Sequence, residues 1–127
     1  MQSWAQILGS HIMYKAYYIL RRDLNMSTAK LAVQVGHGTD IVHAWTDFDK
    51  YMLWKSQDRR KIVLSIKTKT KLNNLITVLQ EKHIHHREIV DIGLTELDGL
   101  TTTGIVIMPI EEDKLPKQVQ RLQLWRD

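Results

Sequence analysis

The sequence YYILRRDLNMSTAKLAVQVGHG, residues 17–38, changes from a strand pattern to a helix pattern within a few residues. Residues 17–20 are an aromatic and β-branched run, which is typical of a buried strand. Ser27 is a suitable N-cap for the helix that follows. Apolar side chains then recur at helical spacing on one face of that helix: Leu31, Val35, Val42 and Trp45. A strand followed directly by a helix indicates an α/β protein.

Two features of the predicted helix are unusual. Gly36 and Gly38 each cost a helix about 1 kcal/mol relative to alanine, and such glycines usually mark close packing of the backbone. Lys30 lies in the first turn, where backbone N–H groups already make the field positive and a cation is disfavoured by roughly 0.3 to 1 kcal/mol. Lys30 is therefore predicted to face an anion.

The rest of the chain continues the alternation of helices and strands. The predicted elements are a helix at residues 48–56, a strand at 61–66, an amphipathic helix carrying Leu72, Leu75, Ile76 and Leu79, strands at 87–93 and 101–109, and a last helix around 115–122. The last two strands are close enough in sequence to pair as an antiparallel hairpin. We therefore predict a single α/β domain built on a mixed four-stranded sheet.

Composition narrows the class of protein. The 127 residues suffice for one domain, and the absence of cysteine excludes disulfides, thiolate metal sites and a cysteine nucleophile. The chain has no run of about 18 apolar residues and no secretory signal pattern, so we expect a cytoplasmic protein without a membrane span. Met13 is a reasonable initiator. We therefore treat residues 1–12 as an N-terminal extension or cloning remnant and residues 13–127 as the domain.

Charge is distributed unevenly along the chain. Residues 50–71 contain eight basic residues and one acid, Asp58, whereas residues 88–113 contain seven acids and no lysine or arginine. A polyanion is the natural partner of such a basic segment, and Tyr51 and Trp54 could supply stacking planes for bases. A merely solvated face explains the charge equally well.

Polar residues that could carry chemistry fall in two places. Lys30, Gln34 and His37 have i, i+4, i+7 spacing and form a polar edge beside the apolar stripe. Four threonines follow Asp91 around one turn: Thr95, Thr101, Thr102 and Thr103. The polar edge could simply be solvated surface, and the threonines could reflect only the preference of threonine for strands. An acid, a lysine at a helix N-terminus and hydroxyls are nevertheless suitable groups for hydrolysing an ester, because they can orient water and stabilise an oxyanion.

Other functional motifs are absent from the sequence. His83, His85 and His86 match no standard zinc spacing, and neither a metal site nor a cofactor is predicted. The chain has no P-loop and no G-x-S-x-G motif, and GHG is not a dinucleotide fingerprint.

Two segments together resemble the archaeal and eukaryotic type of peptidyl-tRNA hydrolase. The segment YYILRRDLNMSTAKLAVQVGHG is similar to that family's strand, Asp-Leu turn and Lys-x-Ala-x-Gln-x-x-His helix. The segment DIGLTELDGLTTTGIVIMP resembles its Asp-x-Gly-x-Thr loop and the second threonine that leads into the last strand. The resemblance extends over residues 14–125. It implies helices on both faces of the sheet and hydrolysis of the ester between a peptide and the terminal ribose of tRNA.

The resemblance also implies functional residues. The implied catalytic group is Lys30, Asp91, Thr95 and Thr103. Residues implied to contact the substrate on the helix are Gln34 and His37. In the basic segment, Arg59, Arg60 and Lys61 are candidates for contact with phosphates of the tRNA partner. The sequence leaves open whether the chain is a monomer or a homodimer.

Four positions depart from the family's usual pattern, one of them Asp98, or Gly99 if the loop is aligned without a gap, where the loop usually has a proline. Leu94 stands where the loop usually has arginine, Glu96 where it usually has glutamine, and Thr28 where the helix usually has a second lysine. Losing cations and gaining a carboxylate should weaken binding of a polyanion. The alternative hypothesis is therefore a non-catalytic RNA-binding or translation-associated module with the same fold.

Overall fold

A computed structural model describes residues 12–94 and 96–127 of the protein. Its strands are β1 (Tyr14–Arg21), β2 (Lys61–Ile66), β3 (His86–Asp91) and β4 (Thr101–Glu111). Its α-helices are α1 (Thr28–Trp45), α2 (Phe48–Ser56), α3 (Lys69–Glu81) and α4 (Lys117–Gln120), and a 3₁₀ turn covers Glu112–Lys114. No helix in these described residues is long and apolar enough to cross a membrane.

The strands form one mixed sheet in the order β2-β1-β4-β3. β1 is parallel to β2 and antiparallel to β4, and β3 is antiparallel to β4. The predictions of a mixed four-stranded sheet and of a final antiparallel hairpin are confirmed. Because β1, β2 and β3 all run in the same direction, they finish at one end of the sheet, at Arg21, Ile66 and Asp91. We call this end the carboxyl end of the sheet.

Helices cover both faces of the sheet, as the family resemblance implied. On one face, Tyr17 and Ile19 of β1 pack in a core with leucines of α3 and Val119 of α4. On the other face, Tyr18 and Leu20 pack with residues of the first two helices, including Val42 and Trp54. Alternation of side chains along β1 therefore divides the core into two layers.

The buried face of α1 differs from the predicted apolar stripe. Its buried residues are Lys30, Gln34, Gly38 and Val42. Leu31 and Val35 are only half-buried and Trp45 is exposed, so of the predicted stripe only Val42 is fully buried. The predicted polar edge therefore supplies Lys30 and Gln34 to the helix–sheet contact, because acceptors and donors on the sheet compensate for their burial.

Gly38 accounts for the close approach of α1 to the sheet. A Cβ at this position would lie 2.8 Å from ring carbons of Tyr18. Gly36, in contrast, has nothing within 4 Å of a Cβ built on its backbone. Close packing thus explains one of the two helix glycines.

The C-terminal region differs from the single helix predicted around 115–122. Only residues 117–120 are α-helical. Beyond them the chain runs along the outer edge of β2, where Ser65 N–H donates to the Gln123 carbonyl (3.0 Å) and Trp125 N–H donates to the Val63 carbonyl (2.9 Å). The residues after Arg121 gain these strand-type bonds instead of helical ones, which stops the helix early.

Candidate active site

A buried ion pair joins α1 to β3 at the carboxyl end of the sheet. Lys30 Nζ lies 2.8 Å from Asp91 Oδ2. The two residues are only 8% and 4% exposed. Asp91 is therefore the anion that the unfavourable helix position of Lys30 predicted.

A serine side chain caps the start of α1. Ser27 is the N-cap, as predicted, and its Oγ accepts from the backbone N–H of Lys30 (3.1 Å). The first turn of α1 contains no acidic residue. The field of the helix N-terminus and the ammonium of Lys30 therefore act together on the carboxylate that ends β3.

Asp91 accepts hydrogen bonds at both carboxylate oxygens. Gln34 Nε2 donates to Oδ2 (2.8 Å), and the backbone N–H of Gly93 donates to Oδ1 (2.7 Å). Hydrogen bonds from Lys30, Gln34 and Gly93 lower the pKa of Asp91 to about 2. The carboxylate is ionised at neutral pH, and it is a weak base.

Gln34 connects Asp91 to Thr103. Gln34 has no exposed surface, and its Oε1 accepts from Thr103 Oγ1 at 2.7 Å. The Thr103 hydroxyl also lies 3.2 Å from the Ile89 carbonyl, and Thr103 is likewise fully buried. Both residues lie behind the ion pair, out of reach of solvent.

A β-bulge turns Thr103 towards α1. Ile89 pairs with Gly104, but the next residue, Val90, pairs with Thr102, so Thr103 is an extra residue in β4. In a regular ladder Thr103 would lie opposite Val90 and face away from α1. Bulges commonly re-aim a side chain next to an active site.

His37 lies at the open side of the ion pair. Its Nε2 is 3.8 Å from Asp91 Oδ2, and its side chain is 45% exposed. Lys30, Gln34, His37, Asp91 and Thr103 are therefore brought together, whereas Thr95, predicted as catalytic, lies outside the described residues.

The loop after β3 is fastened to the start of α1. Glu96 accepts from Ser27 N–H (2.9 Å) and from Ser27 Oγ (2.5 Å), and these bonds lower the pKa of Glu96. Gly93 has φ of +78°, and a Cβ there would lie 2.3 Å from the Gly99 carbonyl oxygen. Glu96 thus binds to the N-cap, and Leu94 is 80% exposed.

The basic segment divides between the two ends of the sheet. All eight of its basic residues are exposed. Arg59, Arg60 and Lys61 lie where β2 begins, at the end opposite Asp91, so a strand length of roughly 20 Å separates them from the carboxyl end. Lys67, Lys69 and Lys71 directly follow β2 at the carboxyl end. The structure does not bring the predicted triplet into the site.

The prediction that Trp54 could stack on bases is wrong. Trp54 is fully buried, and its Nε1–H donates to the Arg60 carbonyl at 2.8 Å. Its ring fills the core between α2 and the sheet, which leaves no face for a base. Tyr51 is half-buried and its hydroxyl lies 2.5 Å from His43 Nδ1.

Arg21 is a site neighbour that sequence reasoning missed. This buried side chain contacts Asp23 through Nε (3.1 Å) and Nη2 (2.9 Å), and its Nη1 donates to the Thr102 carbonyl (3.0 Å). It therefore ties the end of β1 to β4 beside the bulge. An arginine placed directly after a buried apolar strand was the available signal.

The described residues contain no group of three or more His, Cys, Asp or Glu side chains that could hold a metal ion.

The chain matches the family model described as peptidyl-tRNA hydrolase PTH2 over residues 14–125. It is 31% identical to the peptidyl-tRNA hydrolase of Methanopyrus kandleri, in an alignment that covers 90% of this chain and 100% of that one. It is 32% identical to the peptidyl-tRNA hydrolase of Thermococcus sibiricus, covering 87% of this chain and 97% of that one. For the enzyme of Haloquadratum walsbyi the identity is 31%, with 87% and 99% covered.

These matches, together with the mixed sheet and helices on both faces, establish the class of protein. The chain belongs to the peptidyl-tRNA hydrolase PTH2 family. It is accordingly a hydrolase that acts on peptidyl-tRNA. The comparisons give no support to the alternative of a non-catalytic RNA-binding module.

Proposed function

We propose that the chain cleaves the ester of peptidyl-tRNA at the Lys30–Asp91 pair. The observation that carries this proposal is the buried 2.8 Å ion pair at the carboxyl end of the sheet, with the exposed His37 at its open side. An ammonium held beside a helix N-terminus stabilises negative charge that develops on an ester carbonyl oxygen.

Asp91 and Lys30 have different roles in this proposal. With a pKa of about 2, Asp91 is too weak a base to deprotonate water efficiently, so it fixes the position of Lys30. Lys30 stabilises the oxyanion of the tetrahedral intermediate.

His37 is the proposed proton acceptor. A water molecule attacks the ester carbonyl carbon while its proton passes to Nε2 of His37. Collapse of the intermediate breaks the bond between carbonyl carbon and ribose oxygen, and His37 returns the proton to that oxygen. The products are a free carboxylic acid and a tRNA with its terminal hydroxyl restored.

Gln34 and Thr103 are positioning residues in this scheme. The Thr103 hydroxyl orients the Gln34 amide, because a donor to Oε1 fixes which end of the amide meets Asp91. Thr95 remains a predicted catalytic residue, and that prediction rests on the resemblance to the family's motif.

The decisive test is cleavage of an N-blocked aminoacyl-tRNA by the purified protein. We expect release of the blocked amino acid and of deacylated tRNA, separated by acid gel electrophoresis. A folded protein that binds tRNA and releases neither product would contradict the proposed function.

Two basic clusters are proposed to contact tRNA. Lys67, Lys69 and Lys71 lie at the carboxyl end, where α3, like α1, has no acidic residue in its first turn. Two helix N-termini and these cations make this end attractive to phosphates near the ester. Arg59, Arg60 and Lys61 are proposed to meet phosphates farther along the tRNA.

Neutralising each cluster tests this arrangement. Replacing Lys67, Lys69 and Lys71 with glutamine should weaken binding of both an acceptor-stem minihelix and full-length tRNA. The same change at Arg59, Arg60 and Lys61 should weaken binding of full-length tRNA only. Each lost phosphate contact should reduce the slope of log K against log salt by about 0.7 to 0.9. Unchanged slopes in both triple variants would show that the clusters are only solvated surface.

Glu96→Gln tests the effect of the carboxylate that stands where the family's loop usually has glutamine. Glutamine keeps an oxygen for Ser27 N–H and offers an N–H to Ser27 Oγ, so the loop stays fastened while a negative charge is removed. We expect tRNA to bind about threefold tighter at low salt and less so at high salt. Fluorescence anisotropy with labelled tRNA measures this effect. Slower ester cleavage by Glu96→Gln would instead place Glu96 in the chemistry.

We also propose that the protein acts in the cytoplasm, where a substrate of translation is produced. A monomer and a homodimer are both consistent with the sequence. Sedimentation equilibrium of the purified protein decides between dimer and monomer.

A further inference from the structure

The two edges of the sheet differ. The outer edge of β2 is covered by the C-terminal residues, which pair with Val63 and Ser65. β3 forms the other edge, and no strand in residues 12–94 or 96–127 lies beyond it. This open edge ends at Asp91, the carboxylate of the proposed site.

The open edge presents backbone groups that can bind another strand. Met108 N–H donates to the His85 carbonyl, so in an antiparallel ladder Arg87 and Ile89 also face β4. The N–H and C=O groups of His86 and Glu88, between them, point away from β4. Such groups are the template for adding an extended peptide to a sheet.

Charge and hydrophobicity decide which part of the substrate suits this edge. β3 and the loop after it contain four acids, Glu88, Asp91, Glu96 and Asp98, against one arginine, Arg87, which disfavours a polyanion. Four large apolar side chains after Glu88 are exposed: Val90, Ile92, Leu94 and Leu100. The cations of the carboxyl end lie on the far side, after β2.

We propose that the open edge of β3 binds the peptide moiety of the substrate as an added strand. The idea rests on the proposed site at Asp91. The strand must run parallel to β3, because only that direction brings the C-terminal ester carbonyl to Asp91. Main-chain bonds recognise any extended sequence, which suits an enzyme whose peptide substrates vary.

The geometry gives two measurable consequences for the unmodified enzyme. β3 has six residues, so kcat/KM should rise as the peptide lengthens from one residue to about six and then level off. Only every second residue of the added strand directs its N–H to β3. N-methylation of those residues should lower kcat/KM about three- to tenfold per lost bond, whereas N-methylation of the residues between them should have little effect.

The experiment uses purified protein and tRNA carrying peptides of one to eight residues, with a series N-methylated at single positions. The length dependence and the alternation are expected. Cleavage at equal rates for all lengths and all methylated peptides overturns the proposal while leaving the hydrolase function intact. Absence of cleavage for every substrate would instead overturn the proposed function.

A variant tests the same edge from the protein side. Glu88→Pro removes one outward N–H, and proline is tolerated at an edge strand where that N–H faces solvent. In a variant confirmed folded by circular dichroism, the ratio of kcat/KM for a six-residue peptide to kcat/KM for a one-residue substrate should fall about three- to tenfold. A fully retained length dependence would contradict the proposal. If the variant does not fold, the N-methylation series decides. If a second copy of the chain occupied the edge instead, the protein would be a dimer and its cleavage rate would not depend on N-methylation of the peptide.

Discussion

Lys30→Ala is expected to lower kcat for peptidyl-tRNA by a factor of about 100 or more. The ammonium lies 2.8 Å from Asp91 beside the N-terminus of α1, and loss of one preorganised oxyanion-stabilising group typically has an effect of this size. Asp91→Asn should have a similar effect, because the amide no longer holds the ammonium electrostatically. Single-turnover cleavage of N-blocked aminoacyl-tRNA measures both.

The double variant is the sharper measurement. If the two residues act as one unit, Lys30→Ala combined with Asp91→Asn should be little slower than either change alone. Lys117→Ala, an exposed lysine in the first turn of α4, is the matched control and should retain full activity. Removing one partner of a buried ion pair is destabilising, so unfolding is followed in parallel. Near-normal cleavage by folded Lys30→Ala would mean that this lysine has only a structural role.

Gly104→Ala is expected to have the largest effect on stability, lowering the free energy of unfolding by about 3 kcal/mol or more. A Cβ at Gly104 would lie 2.1 Å from the Ile19 carbonyl oxygen and 2.9 Å from Cδ2 of Leu20. The first contact is with the backbone of β1, which cannot yield without shifting the centre of the sheet.

Gly36→Ala is the control for Gly104→Ala. Nothing lies within 4 Å of a Cβ at Gly36, and alanine is the better helix former, so stability should rise by about 0.5 to 1 kcal/mol. Urea unfolding followed by circular dichroism compares the two variants. Equal stability of Gly104→Ala and the unchanged protein would mean that β1 and β4 can separate locally without cost.

Local patterns predicted most of the fold. The change of period at Ser27 marks the boundary between β1 and α1, and the bounds of α2 and β2 agree with those predicted. The predicted last helix extended too far, because pairing of the chain end with β2 depends on a strand about sixty residues away. Distant hydrogen bonds of this kind leave no local periodicity.

The ion pair was predictable for a different reason. A lysine in the first turn of a helix conflicts with the local field, and such a conflict indicates a partner elsewhere. Gln34 carries no such conflict, because a glutamine beside a lysine is typical of a solvated edge. Its burial depends on acceptors and donors in β3 and β4 that the helix sequence does not reveal.

Thr103 meets Gln34 only because β4 has one residue more than β3 across this stretch. Deleting a single residue between Thr101 and Gly104 would preserve strand pairing, yet it would turn the hydroxyl to the opposite face of the sheet. The number of residues in this part of β4 is thus constrained independently of their identity. During divergence of such enzymes, substitutions here can be accommodated one at a time, whereas a one-residue insertion or deletion would disconnect Gln34 at once. An engineered version with an idealised, bulge-free sheet would gain regularity and lose the support behind its ion pair.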